Sequence, residues 1–145
     1  MTRAIFVLNG PNLNLLGQRE PGIYGDMTLG AIEAECRKLG EELGLAVDFR
    51  QTNHEGVLVD WLHEANEKAS GVAINPGAYG HTSIALHDAI RAIAVPVVEL
   101  HISNIHAREA FRHKSMISPA VKGVVFGFGQ DSYLLALRAL KTLTE

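Results

Sequence analysis

The sequence predicts an α/β domain, with five parallel strands in one sheet and helices covering both faces. Three observations carry this. Short apolar runs alternate with helix-spaced apolar stripes along the chain. The runs Ile5-Phe6-Val7-Leu8, Val72-Ala73-Ile74 and Val124-Val125-Phe126 are uninterrupted, as strands buried on both faces require. No linker, repeat or low-complexity tract divides the 145 residues. One domain over residues 1–145, with a real core, is therefore expected.

Each element has its own signal. Residues 4–8 are the first strand. Leu29, Ile32, Cys36, Leu39 and Leu43 fall at helix spacing, and Gly44 closes that helix. Residues 46–52 alternate Val47 and Phe49 with Asp48 and Arg50, which suits a half-exposed edge strand. Thr52 and Glu55 fit a capping box ahead of a helix carrying Leu58, Trp61, Leu62, Ala65 and Ala69. Residues 72–75 are the third strand, 81–93 a helix, 95–101 the fourth strand and 121–128 the fifth. The last helix, 131–143, turns Leu134, Leu137 and Leu140 inward. This spacing gives a doubly wound, flavodoxin-like sheet of order 2-1-3-4-5. The fifth strand is an edge in that order, yet its sequence reads as fully buried, which points to an oligomer covering it. Residues 102–120 have weak periodicity and are long for a connection. They hold Arg108 and Arg112, so a functional loop with a short helix is expected there.

Composition narrows the partners. Apolar residues make up 47% and charged residues 20%, the balance of an ordinary soluble protein. A net charge of −3 and scattered basic residues favour neither nucleic acid nor an anionic membrane. The single cysteine, Cys36, excludes an internal disulfide and any CxxC site, and its place on an apolar stripe suits buried packing. No signal peptide or membrane span is visible, so a cytoplasmic protein is expected.

In such a sheet a ligand lies beyond the carboxyl ends of the strands, near the switch between strands 1 and 3. Polar residues gather there from three segments: Asn9 to Asn12, Asn75 to His81, and Glu99 to Asn104. Glu99 and His101 are two apart on a strand and share a face. A carboxylate there fixes the imidazole tautomer and supports its protonated form, which makes His101 a candidate general acid. The other reading is a satisfied structural histidine. Tyr24 lies in a glycine-flanked loop, either as a base or as a surface tyrosine. A phenol titrates near pH 10, so work near neutrality needs roughly 4 kcal/mol in favour of the phenolate. Arg19 and Arg108 are candidates to supply it, because arginine holds its charge when partly buried. Asn12 is either a water or oxyanion ligand or a turn residue. Asn75, His81 and Asp88 lie near a helix start, where His81 and Asp88 would stand two turns apart on one face. A cap and a solvated face explain them equally. His54, His63, His87, His106 and His113 read as surface or packing residues.

Two other chemistries have weaker signals. His81, His101, His106 and Asp88 match no metal-ligand spacing. A flavodoxin-like phosphate- or flavin-binding module is the alternative function. However, the first loop carries Pro11 and leucines and has neither GxGxxG nor GxxxxGK[ST], and Gly127-Phe128-Gly129 is a weak phosphate cue.

Four segments carry a resemblance. They are 8–17 (Leu-Asn-Gly-Pro-Asn-Leu-Asn-Leu-Leu-Gly), 53–56 (Asn-His-Glu-Gly), 74–83 (Ile-Asn-Pro-Gly-Ala-Tyr-Gly-His-Thr-Ser) and 98–105 (Val-Glu-Leu-His-Ile-Ser-Asn-Ile). With Arg19 and Tyr24 they resemble the type II 3-dehydroquinate dehydratases over nearly the whole chain. The resemblance implies a hydro-lyase of the shikimate pathway that converts 3-dehydroquinate to 3-dehydroshikimate by anti elimination through an enolate. That reaction is shared by chorismate biosynthesis and quinate breakdown. The resemblance also implies no metal, no organic cofactor and no lysine imine. By it, Tyr24 is the base and Arg19 and Arg108 lower its pKa. Asn12, with the Pro11 carbonyl, holds a water at the enolate. His101, held by Glu99, protonates the departing hydroxyl. Asn75 and the amides of Ile102 and Ser103 receive the substrate carboxylate. His81, Arg112 and a neighbouring subunit's Asp88 bind the ring hydroxyls. A homododecamer of four trimers is implied as well.

Overall fold

The computed structural model describes residues 3–18, 22 and 27–145. Five parallel strands form one sheet: β1 Ala4–Asn9, β2 Val47–Gln51, β3 Ala69–Asn75, β4 Val97–His101 and β5 Gly123–Phe126. Their order is β2-β1-β3-β4-β5, the flavodoxin-like arrangement expected from the sequence. Among the described residues, four α-helices flank them: α1 Leu29–Leu43, α2 Glu55–Lys68, α3 Ile84–Ala92 and α4 Asp131–Thr144.

The two-residue period of the strands divides the core. Ile5, Val7, Ala73, Val98 and Leu100 pack under α1 and α4 with Ile32, Cys36, Ala136, Leu137 and Leu140. Phe6, Leu8, Val72, Ile74 and Val97 face the other way, against Leu58, Leu62, Leu86 and Ile90 of α2 and α3. Leu137 is fully buried, so Leu137→Ala would cost about 2–5 kcal/mol. The thiol of Cys36 is buried in the first layer, and that burial pushes its pKa up to about 12. It is a packing residue.

Helix ends follow their local chemistry. Thr28 Oγ1 accepts from the Ala31 amide at the start of α1, and Gly44, at φ 72°, ends it. Ser83 Oγ accepts from Leu86 N at the start of α3. β2 lies at an edge and all five of its residues are half-buried, as its alternation predicts.

Four expectations are corrected. Thr52 and Glu55 form no capping box. Thr52 Oγ1 accepts from His54 N two residues on, and His54 occupies the N-cap without a side-chain bond. Ala69 opens β3 instead of extending α2, because the sheet pairs Ala69 with Ala4 of β1. His81 ends a 3-10 turn, Gly77–His81, and the α-helix starts only after Ser83. His81 and Asp88 are therefore not two turns apart on one helix. β5 is shorter than expected and half-exposed in the chain, with Val124 at 36%.

The carboxyl ends of β1, β3 and β4 are held together tightly. Asn9 pairs in register with Asn75. Gly10 N donates to Asn75 O at 2.8 Å. A Cβ on Gly10 would lie 2.3 Å from the Pro76 carbonyl oxygen, so no larger residue fits between these two loops. Residues 102–120 wrap this end of the sheet with 3-10 turns at Ile105–Ala107, Ala110–Arg112 and Ser118–Ala120. No helix among the described residues is long and apolar enough to cross a membrane.

Candidate active site

The strand ends and the 102–120 segment enclose a recess. Its lining includes Pro11 and Asn12 after β1, Asn75, Gly77 and His81 after β3, His101, Ile102 and Ser103 at the end of β4, and Arg108 and Arg112 from the wrapping segment. Nine residues singled out from the sequence thus meet around or beneath one hollow: Asn12, Asn75, His81, Glu99, His101, Ile102, Ser103, Arg108 and Arg112. Asp88 is exposed on α3 and does not line the recess of its own chain. Arg19 and Tyr24 lie outside the described residues.

Glu99 and His101 stand side by side on β4. The His101 ring nitrogen Nε2 is 2.5 Å from Glu99 Oε2. Glu99 is completely buried, and an unsupported carboxylate there would be costly. Three donors support it. Besides His101, Ser115 Oγ donates to Oε2 at 2.9 Å and Ser118 Oγ donates to Oε1 at 2.6 Å. Burial works to raise the Glu99 pKa. The hydrogen bond and charge of His101, with those two serines, outweigh it and hold the carboxyl below its usual range. The carboxylate binds Nε2, so the other ring nitrogen, Nδ1, is left for a ligand.

His81 stacks beside His101, with ring centroids 5.9 Å apart and planes 20° apart. Its Nδ1 lies 2.9 Å from the Lys114 carbonyl oxygen. A carbonyl only accepts, so Nδ1 carries the hydrogen and Nε2 is the acceptor of the neutral ring. Burial lowers the His81 pKa, and the nearby His101 and Arg112 reinforce this against the bond to Lys114. His81 is thus set to accept a hydrogen bond, as from a hydroxyl group.

Asn12 has a left-handed backbone, φ 68°, unusual outside glycine. Its amide donates to Asn53 Oδ1 at 3.1 Å, and Tyr79 OH holds the Asn53 carbonyl at 2.8 Å. The Asn-His-Glu-Gly segment therefore braces the loop that carries Asn12. Arg108 Nη1 lies 3.5 Å from Ser103 Oγ, and Arg112 Nε lies 3.3 Å from both oxygens of Glu109. Two guanidinium groups thus flank a recess that also offers amide and imidazole groups. Such a set recognises a small oxygen-rich anion.

Three supporting residues have no signal of their own in the sequence: Ser115, Ser118 and Tyr133. The serines lie in the segment of weakest periodicity, 16 and 19 residues beyond Glu99. Tyr133 was hidden among the apolar residues of α4, where nothing local marks a buried hydroxyl. Among the described residues, no three His, Cys, Asp or Glu side chains group as a metal site.

The family model for dehydroquinase class II matches residues 3–141. The chain is 75% identical over 145 residues to the 3-dehydroquinate dehydratase of Rhizobium meliloti, covering all of this chain and 98% of that one. It is 74% identical over 144 residues to the 3-dehydroquinate dehydratase of Rhizobium johnstonii, covering 99% of each. In three dimensions it is similar to the type II dehydroquinase of Propionibacterium acnes, with TM-score 0.94, 47% identity and 98% of both chains covered. The type II dehydroquinase of Butyrivibrio crossotus gives TM-score 0.94 at 38% identity, covering 96% of this chain and 97% of that one. With the sheet order, the recess and these matches in agreement, the chain belongs to the class II dehydroquinase family.

Proposed function

We propose that this chain, acting as one catalytic domain, dehydrates 3-dehydroquinate to 3-dehydroshikimate by anti elimination through an enolate. The observation that carries this reading is the sealed Glu99 carboxylate, 2.5 Å from His101 at the edge of a recess flanked by arginines. An α-proton next to a ketone is weakly acidic, and a β-hydroxyl leaves poorly until it is protonated. The reaction therefore needs a base, an oxyanion site and an acid.

Tyr24, as phenolate, takes the proton from the carbon beside the ketone. Arg19 and Arg108 stabilise that phenolate. The electron pair moves onto the ketone oxygen, where a water held by Asn12 and the Pro11 carbonyl stabilises the enolate. The enolate then collapses and the carbon–oxygen bond to the β-hydroxyl breaks. Protonated His101 gives its Nδ1 proton to that oxygen and water leaves. Glu99 stays ionised on Nε2 and steadies the imidazolium before transfer. Asn75 and the backbone amides of Ile102 and Ser103 receive the carboxylate. His81 and Arg112 hold ring hydroxyls, joined by Asp88 of a neighbouring copy.

Assembly into a dodecamer of four trimers fits two features of the chain. Asp88 is exposed and lies outside the lining of its own recess. The β5 edge leaves an apolar hollow between Val98, Val124, Val125 and Leu143.

Purified protein mixed with 3-dehydroquinate should generate the ultraviolet absorbance of a conjugated enone. Tyr24→Phe should abolish that signal without unfolding the protein, and activity should survive chelators and borohydride. No enone from folded wild-type protein would refute the reading. Light scattering should show an oligomer at assay concentration, and a fully active monomer would refute the shared site.

A further inference from the structure

We propose that Tyr133 is a positioning residue for substrate binding, acting through Asn75; this rests on the reading of the recess given above. The Tyr133 hydroxyl is buried on α4, between the ends of β1 and β3. It donates to Asn9 Oδ1 at 2.6 Å and accepts from Asn75 Nδ2 at 2.9 Å. The residues are far apart in sequence, and Asn9 and Asn75 meet only because they are in register across β1 and β3. Burial and the neighbouring thiol raise the Tyr133 pKa against the bond from Asn75, so the group stays a neutral hydroxyl.

The direction of every bond in this chain is fixed by its two ends. An isolated amide can be turned either way with little change in shape. Here Asn9 Nδ2 donates at 3.0 Å to the Arg50 carbonyl, which only accepts. Asn9 Oδ1 must therefore face the tyrosine. Tyr133 spends its single hydrogen there and can only accept from Asn75. Asn75 must present its NH2 group to Tyr133. Its Oδ1 then receives the Gly77 amide at 3.3 Å, and that amide only donates. The two ends agree on one arrangement.

The consequence lies in the recess. Asn75 lines it, and Nδ2 carries a second hydrogen beyond the one given to Tyr133. The relay thus presents Asn75 to the substrate as a donor, which suits an oxygen acceptor such as a carboxylate. Without the tyrosine hydroxyl only the 3.3 Å bond from the Gly77 amide still orients the side chain, and the amide can more easily turn its oxygen toward the same place. A like-charged dipole would then face the anion.

The test is a double-mutant cycle on KM, which does not depend on the fraction of protein folded. Tyr133→Phe, Asn75→Ala and the double variant are compared with wild type on 3-dehydroquinate. Tyr133→Phe should raise KM about tenfold, the loss of one charge-assisted hydrogen bond, with kcat changed much less. In the Asn75→Ala background the same substitution should alter KM by less than about twofold. Equal KM effects in both backgrounds, or no KM effect with wild-type Asn75, would overturn the proposal. If Tyr133→Phe does not fold, Asn9→Ser enters the same cycle under the same criterion. Failure of both to fold would assign the relay to stability and overturn it too. A wild-type enzyme that forms no enone refutes the proposed reaction instead, so the two failures are distinguishable.

Discussion

Glu99 and Arg50 both sit on strands of one sheet, each in a cluster of opposite charges, yet the clusters are built for different ends. Arg50, on edge strand β2, bonds Asp48 at 2.9 Å and Glu64 of α2 at 2.7 Å. Its guanidinium lies 4.3 Å from the Phe6 ring centre and 5.5 Å from that of Trp61. The carboxylates remain 38% and 31% exposed. Glu99 is sealed from water and its cationic partner is a histidine, charged only when protonated. A permanent cation near solvent fastens an edge strand to a helix and covers aromatic faces. A titratable partner in a dry setting can gain and lose a proton within one turnover. The type of cation and its access to water, more than the number of charges, separate a fastening from a pair able to serve the proposed proton transfer.

Substitutions should sharpen that contrast, beginning with the largest effect. His101→Ala should lower turnover by about 10²–10⁴-fold, the usual loss of a general acid, while the far-UV circular dichroism stays native. Glu99→Gln should follow, with a fall in kcat on the order of tenfold to a hundredfold. The neutral amide steadies the imidazolium less and offers one serine a donor where it needs an acceptor. Loss of kcat no larger than twofold would place Glu99 with the fastenings.

The same carboxylate should appear in acid unfolding. Glu99 titrates below its usual range when folded. Its contribution is therefore present above the unfolded pKa of about 4.3 and is lost as pH falls through the folded value. Urea midpoints measured from about pH 5 down to about pH 3 should fall in wild type, and less steeply in Glu99→Gln. Equal slopes would contradict the shift.

The smallest effects belong to β2. The Arg50 hydrogen bonds, foremost for both carboxyls, lower the pKa of Asp48 and Glu64. Both groups stand near water, so screening leaves each pair worth about 0–1 kcal/mol. Asp48→Asn should change stability by no more than that, should change it less at about 0.5 M salt, and should leave kcat untouched. A tenfold loss of activity in Asp48→Asn would show that the β2 cluster is more than a fastening.

Much of the site is visible in the sequence because its residues close strands. Asn9, Asn75 and His101 each end an apolar run, and the strand order brings those ends together. The two-residue spacing of Glu99 and His101 alone puts them on one face. What was not legible depends on register and on irregular chain. Tyr133 meets Asn9 across 124 residues, and no local pattern announces it. Ser115 and Ser118 reach Glu99 from a stretch of 3-10 turns without apolar periodicity. The helix assigned from His81 failed because Ser83 offers the better cap. Thr52 failed as a cap because its hydroxyl is taken by the nearer His54 amide. In each case a local hydrogen bond set the boundary that an apolar stripe leaves open.

The proposed order of events has His101 act on the departing hydroxyl after the α-proton has been removed. It is tested most directly by mass spectrometry of 3-dehydroquinate recovered from His101→Ala in deuterium oxide. Deuterium should appear in the recovered substrate and accumulate faster than 3-dehydroshikimate forms, because the enolate returns to ketone when its hydroxyl cannot leave. Normal product formation by the variant, or loss of both exchange and product while substrate still binds, would contradict it.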